Sequence, residues 1–112
     1  MSSREPNLLL SDMLDSIDAI LEYSHGLDFD AFIKDRKTRD AVIRNLQVLG
    51  EAANRVQRDT REIYPEIEWM RIIRSRHIIV HDYAGIDYEI VWRIIEVHLP
   101  PLKALLDRII NR

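Results

Sequence analysis

Ten residues, Arg74-Ser-Arg-His-Ile-Ile-Val-His-Asp-Tyr83, carry two guanidinium groups (Arg74, Arg76), two imidazoles (His77, His81) and a phenol (Tyr83). The apolar triplet Ile78-Ile79-Val80 runs through the middle of them. Apolar side chains seek burial, whereas arginine and histidine resist it unless they are paired. A cluster of this kind therefore calls for either a structural ion pair or an anionic ligand. Phosphate fits the residue types: arginine offers a planar fork of donors, and histidine moves a proton near neutral pH.

The geometry of a helix sorts these groups. Arg74, His77 and His81, spaced by three and four, share one face. Arg76 and Tyr83, seven apart, share another. Arg76 and His81 are five apart, about 140° round an ideal helix. The two meet at one ligand only if the helix is ending near His81, or if two subunits each contribute. Should they converge, metal-free cleavage of RNA is within their chemistry. His81 would take the ribose 2′-proton, Arg76 would stabilise charge on the crowded phosphate, and a second His81 across a dimer axis, or His77, would protonate the leaving group. Residue types alone leave a plainer reading open, in which these side chains are salt-bridged structure; Glu51, on a neighbouring helix, is the expected buried partner for an arginine. A metal held by His77, His81 and Asp82 is a third possibility. It lacks the glutamate after the first histidine that marks metalloprotease helices, and only one pair of ligands is local.

The elements that must position these groups are helical. At 112 residues the chain is one domain, residues 1–112, with a core of modest size. Only three glycines and four prolines punctuate it, which favours long helices over strands and turns. The spacing predicts a first helix over 9–24, with Met13, Leu14, Ile17, Ile20 and Leu21 facing inward and Gly26 as the stop. Residues 28–34 read as a short turn or helix that turns Phe29 and Phe32 inward. A second long helix spans 37–56 on the stripe Val42, Leu46, Leu49, Ala53 and Val56; Gly50, Ala52 and Ala53 leave room for a close neighbour. Residues 58–65 read as a connection. A third helix starts near Glu66, carries Trp69, Ile72, Ile73, Arg76, Val80 and Tyr83 along one face, and ends at Ala84-Gly85. Asp87 caps a fourth helix that buries Ile90, Val91, Ile94, Ile95, Leu99, Leu102, Leu106, Ile109 and Ile110, with a kink at Pro100-Pro101. Trp69, Trp92, Phe29 and Phe32 interleave with aliphatic periodicity and read as core; His25 and His98 read as surface or helix-end residues without local partners. The fold class is all-α: an up-and-down four-helix bundle with a kinked C-terminal helix.

Composition narrows the partners. A net charge of −3 argues against a general nucleic-acid binder, but residues 71–81 hold Arg71, Arg74, Arg76, His77 and His81 and no acid, so RNA would meet one local patch. There is no cysteine, which excludes disulfides and thiolate metal sites. No apolar run is long enough for a membrane span, and Met-Ser-Ser-Arg-Glu-Pro lacks the apolar core of a signal peptide. A cytoplasmic protein is the expectation.

Several separated segments carry a family resemblance. Leu49-Gly-Glu-Ala-Ala53, Ile67-Glu-Trp69, the Arg76-x4-His81-x-Tyr83 core, Ile86-Asp87, Val91-Trp92 and Leu99-Pro100 stand in the order and spacing of the HepT-like branch of the HEPN superfamily. The chain resembles that family over nearly its whole length. The resemblance implies a HEPN-like bundle that forms a homodimer with two motifs at the interface. It implies a metal-independent ribonuclease without cofactors, acting as an endonuclease or RNA-trimming toxin on tRNA or mRNA. The toxin is paired with a nucleotidyltransferase antitoxin of the minimal (MNT) type that attaches AMP to the motif tyrosine. Carried over, Arg76 and His81 are catalytic and Tyr83 is the AMP acceptor. This chain has His77 where the branch more usually has Asn, and Arg74 fits a looser R-x6-H spacing and could touch the phosphate backbone. The reading from a different class is a non-catalytic helical subunit that binds a nucleotidyltransferase or a nucleotide.

Overall fold

The computed structural model describes residues 6–81 and 85–111, with side chains for 6–77 and 85–111. Seven α-helices and one π-helical turn account for most of it: α1 (Pro6–Ser24), α2 (Phe29–Lys34), α3 (Arg36–Arg55), α4 (Arg58–Ile63), α5 (Trp69–His81), α6 (Tyr88–Arg93), the π turn (Ile94–His98) and α7 (Leu99–Ile110). The described residues contain no strand. The four long rods of the expected bundle are α1, α3, α5 and the α6–π–α7 arm. α3 packs against α1 on one side and α5 on the other, and α7 returns along α1.

Local chemistry sets the boundaries. α1 ends before Gly26, whose φ of +79° is a conformation glycine adopts freely. Ser24 is buried in the last turn, and its hydroxyl donates to the Ile20 carbonyl at 2.8 Å. Asp28 caps α2 by accepting from the Ala31 N–H at 2.8 Å. Asp35 caps α3 by accepting from the Thr38 N–H at 3.1 Å and the Thr38 hydroxyl at 2.8 Å. The Thr38 side chain, followed by its backbone N–H, holds the Asp35 carboxyl below its ordinary value. The contribution of this cap is therefore present above the ordinary aspartate range and is lost as the pH falls through the lowered value. Asp87 caps α6 as expected, accepting from the N–H groups of Glu89 and Ile90.

The core follows the expected stripes. Met13, Ile17, Ile20, Val42, Leu46, Leu49, Ala53, Val56, Val91, Ile95, Leu99 and Leu106 are buried; truncating one of the larger ones, Leu46→Ala, should cost about 2–5 kcal/mol. Phe32 is fully buried. It stands 5.0 Å from Trp92 and 6.1 Å from Tyr88 between ring centroids, clamping α2 to α6. Arg39 adds its guanidinium 5.2 Å from the Tyr88 ring centroid. Lys103 ties α7 to α1 through Asp18 at 2.6 Å, and this hydrogen bond raises its pKa above the ordinary lysine value.

Four expectations are corrected. Residues 58–65 are not a plain connection but hold the short helix α4, which buries no side chain and so has no apolar stripe to read. Its purpose is visible in Arg61, which folds back to donate to the carbonyls of Val56 (3.0 Å) and Asn54 (3.0 Å) at the end of α3. A cation there satisfies carbonyls that the helix leaves unpaired. Arg61→Ala should lower unfolding free energy by about 1–3 kcal/mol, the range for hydrogen bonds to a charged group; urea denaturation reads it. Secondly, α5 starts at Trp69, three residues later than expected, because Glu66 and Ile67 belong to a turn closed by the Ile67 N–H on the Tyr64 carbonyl at 3.2 Å; the Trp69 indole N–H donates to the same carbonyl at 3.1 Å. Thirdly, Ile90 is 42% exposed, and Ile94, Ile109 and Ile110 are partly buried. Finally, the irregularity of the C-terminal helix lies just ahead of the prolines. Pro100 has no N–H to offer Glu96, and the turn widens so that the Leu99 N–H reaches the Ile94 carbonyl.

Candidate active site on α5

α5 is amphipathic, and its two sides do different work. Ile72 and Ile73 are buried and Arg76 reaches α3, while Arg71, Arg74 and His77 are exposed. The approach of α3 is set by Gly50. A β-carbon there would stand 3.1 Å from the Arg76 Cβ and 3.2 Å from the Ile72 carbonyl oxygen, so any side chain would push the helices apart by a few tenths of an ångström. The next residue, Glu51, reaches across. Its Oε2 accepts from Arg76 Nη1 at 2.8 Å.

Glu51 was expected to pair with an arginine, and the structure identifies that arginine as Arg76, with one correction. Glu51 is not a buried partner: its side chain is 56% exposed, against 25% for Arg76. Helical register turns Glu51 about 100° past the Gly50 contact, towards solvent. Solvent screening keeps the pair's contribution to stability small. Its geometric effect is larger, because one carboxylate fixes one edge of the fork. Among the described residues the other guanidinium donors have no protein acceptor, so the fork can still engage an anion.

Arg74 and Arg76 point to different sides of α5, as their spacing requires: Arg76 meets α3, and Arg74 borders a groove with His77. α5 stays helical as far as His81, the last residue described there, so ideal register keeps positions 76 and 81 about 140° apart. The His81 side chain and Tyr83 lie outside the described residues, as do Asp82, the Val80 side chain and the proposed stop at Ala84. Among the described residues, no group of three or more His, Asp or Glu side chains could hold a metal. No helix among them is long and apolar enough to cross a membrane.

Sequence reasoning missed one partner. His98, expected to stand alone, brings Nδ1 to 3.2 Å from Arg71 Nη1, and Arg71 also lies 3.4 Å from Glu68. The π turn makes this meeting, and nothing in the periodicity signals it.

The family model described as Ribonuclease HepT-like matches residues 13–109. The chain belongs to the HepT-like ribonuclease family. Among its relatives is a Methanocaldococcus jannaschii protein provisionally named an RNase, 36% identical over 103 residues, which cover 92% of this chain and 94% of that one. A second from the same organism, also provisionally named an RNase, is 37% identical, covering 89% and 83%. A Thermococcus cleftensis protein, named a probable ribonuclease HepT, is 33% identical, covering 89% and 91%. No solved structure matches the chain. The family's substrate is RNA, and the HepT-like match spans α5 and its α3 partner together.

Proposed function

We propose that this chain is a metal-independent endoribonuclease, or RNA-trimming, toxin that works as a homodimer in the cytoplasm. The observation that carries the reading is Arg76. It is drawn to α3 by the close approach at Gly50 and fixed on one edge by Glu51, with further donors for an anion. In this reading Arg76 binds the scissile phosphate and stabilises the charge that builds on it. His81 takes the ribose 2′-proton. The 140° between the two positions on α5 favours sites built from two subunits, with Arg76 of one chain serving beside His81 of the other. A second imidazole, the other His81 or His77, returns the proton to the leaving oxygen.

Tyr83, two residues beyond His81, is the acceptor for AMP delivered by a nucleotidyltransferase antitoxin of the minimal type. An adenylyl group there adds bulk and negative charge where substrate phosphate must sit, which silences the nuclease.

The test is cleavage of total RNA and tRNA in excess EDTA by chain whose intact mass shows no AMP. Cleavage by the parent, lost in His81→Ala, is expected. Activity should also fall as the pH is lowered and the base takes up its proton. A flat pH profile with unchanged RNA binding would remove His81 from that role. No cleavage by folded, unmodified chain would move the reading to a non-catalytic subunit that docks a nucleotidyltransferase.

A further inference from the structure

The bundle is not closed on one side. α5 and α7 both lean on its core but do not pack closely on each other over the described residues. Between them lies a groove of about 900 Å³, floored by Leu46, Leu49, Ile72 and Leu102. That is the upper part of the range for ligand sites, roughly 300–1,000 Å³, and its mostly apolar floor with a few polar groups at the edge matches their usual make-up.

We propose that this groove seats the stretch of single-stranded RNA beside the cleaved bond, with bases over the apolar floor and phosphates on Arg71 and Arg74. The proposal rests on the ribonuclease reading and extends it to residues outside the Arg76–His81 pair. Charge decides the occupant. Arg71 and Arg74 stand three apart along one edge of the groove, and His98 joins Arg71 from the opposite wall. Arg74 has no side-chain partner among the described residues. The acids Glu66 and Glu68 are confined to the end of the groove farthest along the chain from His81. The Glu68–Arg71 pair spans 3.4 Å with both side chains more than half exposed, a contact that water screens and a phosphate can displace. At 1.5 Å rise per residue, Arg74 lies roughly 10 Å and Arg71 roughly 15 Å along α5 from His81. A bound strand would thus run down one helix from the basic edge to the motif. Cations tracking a backbone beside an apolar seat for bases is the way sequence-tolerant proteins hold single strands.

Binding can be separated from cleavage by using the His81→Ala chain and a fluorescein-labelled oligoribonucleotide, followed by anisotropy across a salt series. Arg71→Ala/Arg74→Ala should weaken binding about tenfold or more, and should lower the slope of log affinity against log salt by roughly 1.4, about 0.7 for each lost phosphate contact. Ile90→Asp, at the exposed apolar rim, should also weaken it. Arg36→Ala, an exposed arginine ten residues before the groove floor begins on α3, should stay within about twofold. Circular dichroism confirms that each variant is folded. Parental affinity and salt slope in the double variant overturn the proposal. So does conversion from dimer to monomer by Ile90→Asp with RNA affinity unchanged, which would make the groove a seat for a second copy. Groove-dependent binding by a chain that never cleaves RNA would keep the groove as an RNA seat and sink the nuclease reading; cleavage by the parent that is indifferent to the double variant would keep the nuclease and overturn the groove.

Discussion

Arg76→Ala is expected to lower RNA cleavage by roughly 10²–10³-fold, the usual consequence of removing one charge-stabilising donor from a transition state. The chain should stay folded. Arg76 is only partly buried, and the carboxylate left behind is 56% exposed, so no charge is stranded in the core. Loss of the ion pair and of some stem packing should cost about 1 kcal/mol. Activity and stability therefore separate by two orders of magnitude in rate against a small shift in melting. Arg76→Lys retains charge but loses the planar fork that can hold Glu51 and a phosphate together, and should recover only part of the rate. Glu51→Gln tests the positioning role. It keeps a hydrogen-bond acceptor for Nη1 and removes the charge, so cleavage should fall by less than in Arg76→Ala, while Glu51→Ala, which frees the guanidinium altogether, should fall further. Single-turnover rates beside thermal melts read all four. Parental rates in Arg76→Ala would show that the fork plays no part in the reaction.

What the sequence revealed and what it hid follow from the same physics. Long stripes were legible because burial on one face imposes a 3.6-residue period over several turns, as Val42, Leu46, Leu49 and Ala53 do on α3. Caps were legible at Asp87, where a short polar side chain precedes an apolar run. α4 was not, because its six residues bury nothing and are secured by Arg61 reaching back to main-chain carbonyls. The π turn was half legible: prolines announced a disturbance, but whether the helix bends or widens depends on packing against its neighbours. For the site, residue types marked Glu51 as the partner of an arginine without saying which, and Gly50 announced the close contact that brings Arg76 to it. The exposure of Glu51 depends on which way α3 is rotated, and the His98–Arg71 contact depends on the register of the π turn. The groove is a property of two helices that fail to meet, which no single periodicity records. Tyr83 and the His81 side chain keep the standing that the family resemblance gives them.

Gly50→Val should be the most damaging single change to the site's framework. The β-carbon it introduces would stand 3.1 Å from the Arg76 Cβ and 3.2 Å from the Ile72 oxygen, and neither atom is the free end of a flexible chain. Both belong to α5 itself, so the helix has to move. Overpacking of this kind costs roughly 1–3 kcal/mol. Replacing a helical glycine returns up to about 1 kcal/mol, and least for a β-branched side chain. Valine should therefore destabilise by about 2 kcal/mol, whereas alanine should sit near balance. That near-balance makes Gly50→Ala the sharper probe of function. If α3 sets the position of Arg76, a displacement of a few tenths of an ångström strains the 2.8 Å contact with Glu51, and cleavage should drop several-fold in a chain that melts close to the parent. A Gly50→Ala chain with parental melting and parental cleavage would show that the α3–α5 contact stabilises the bundle without aiming the guanidinium. Loss of rate in step with loss of folded protein, across both substitutions, would carry the same meaning.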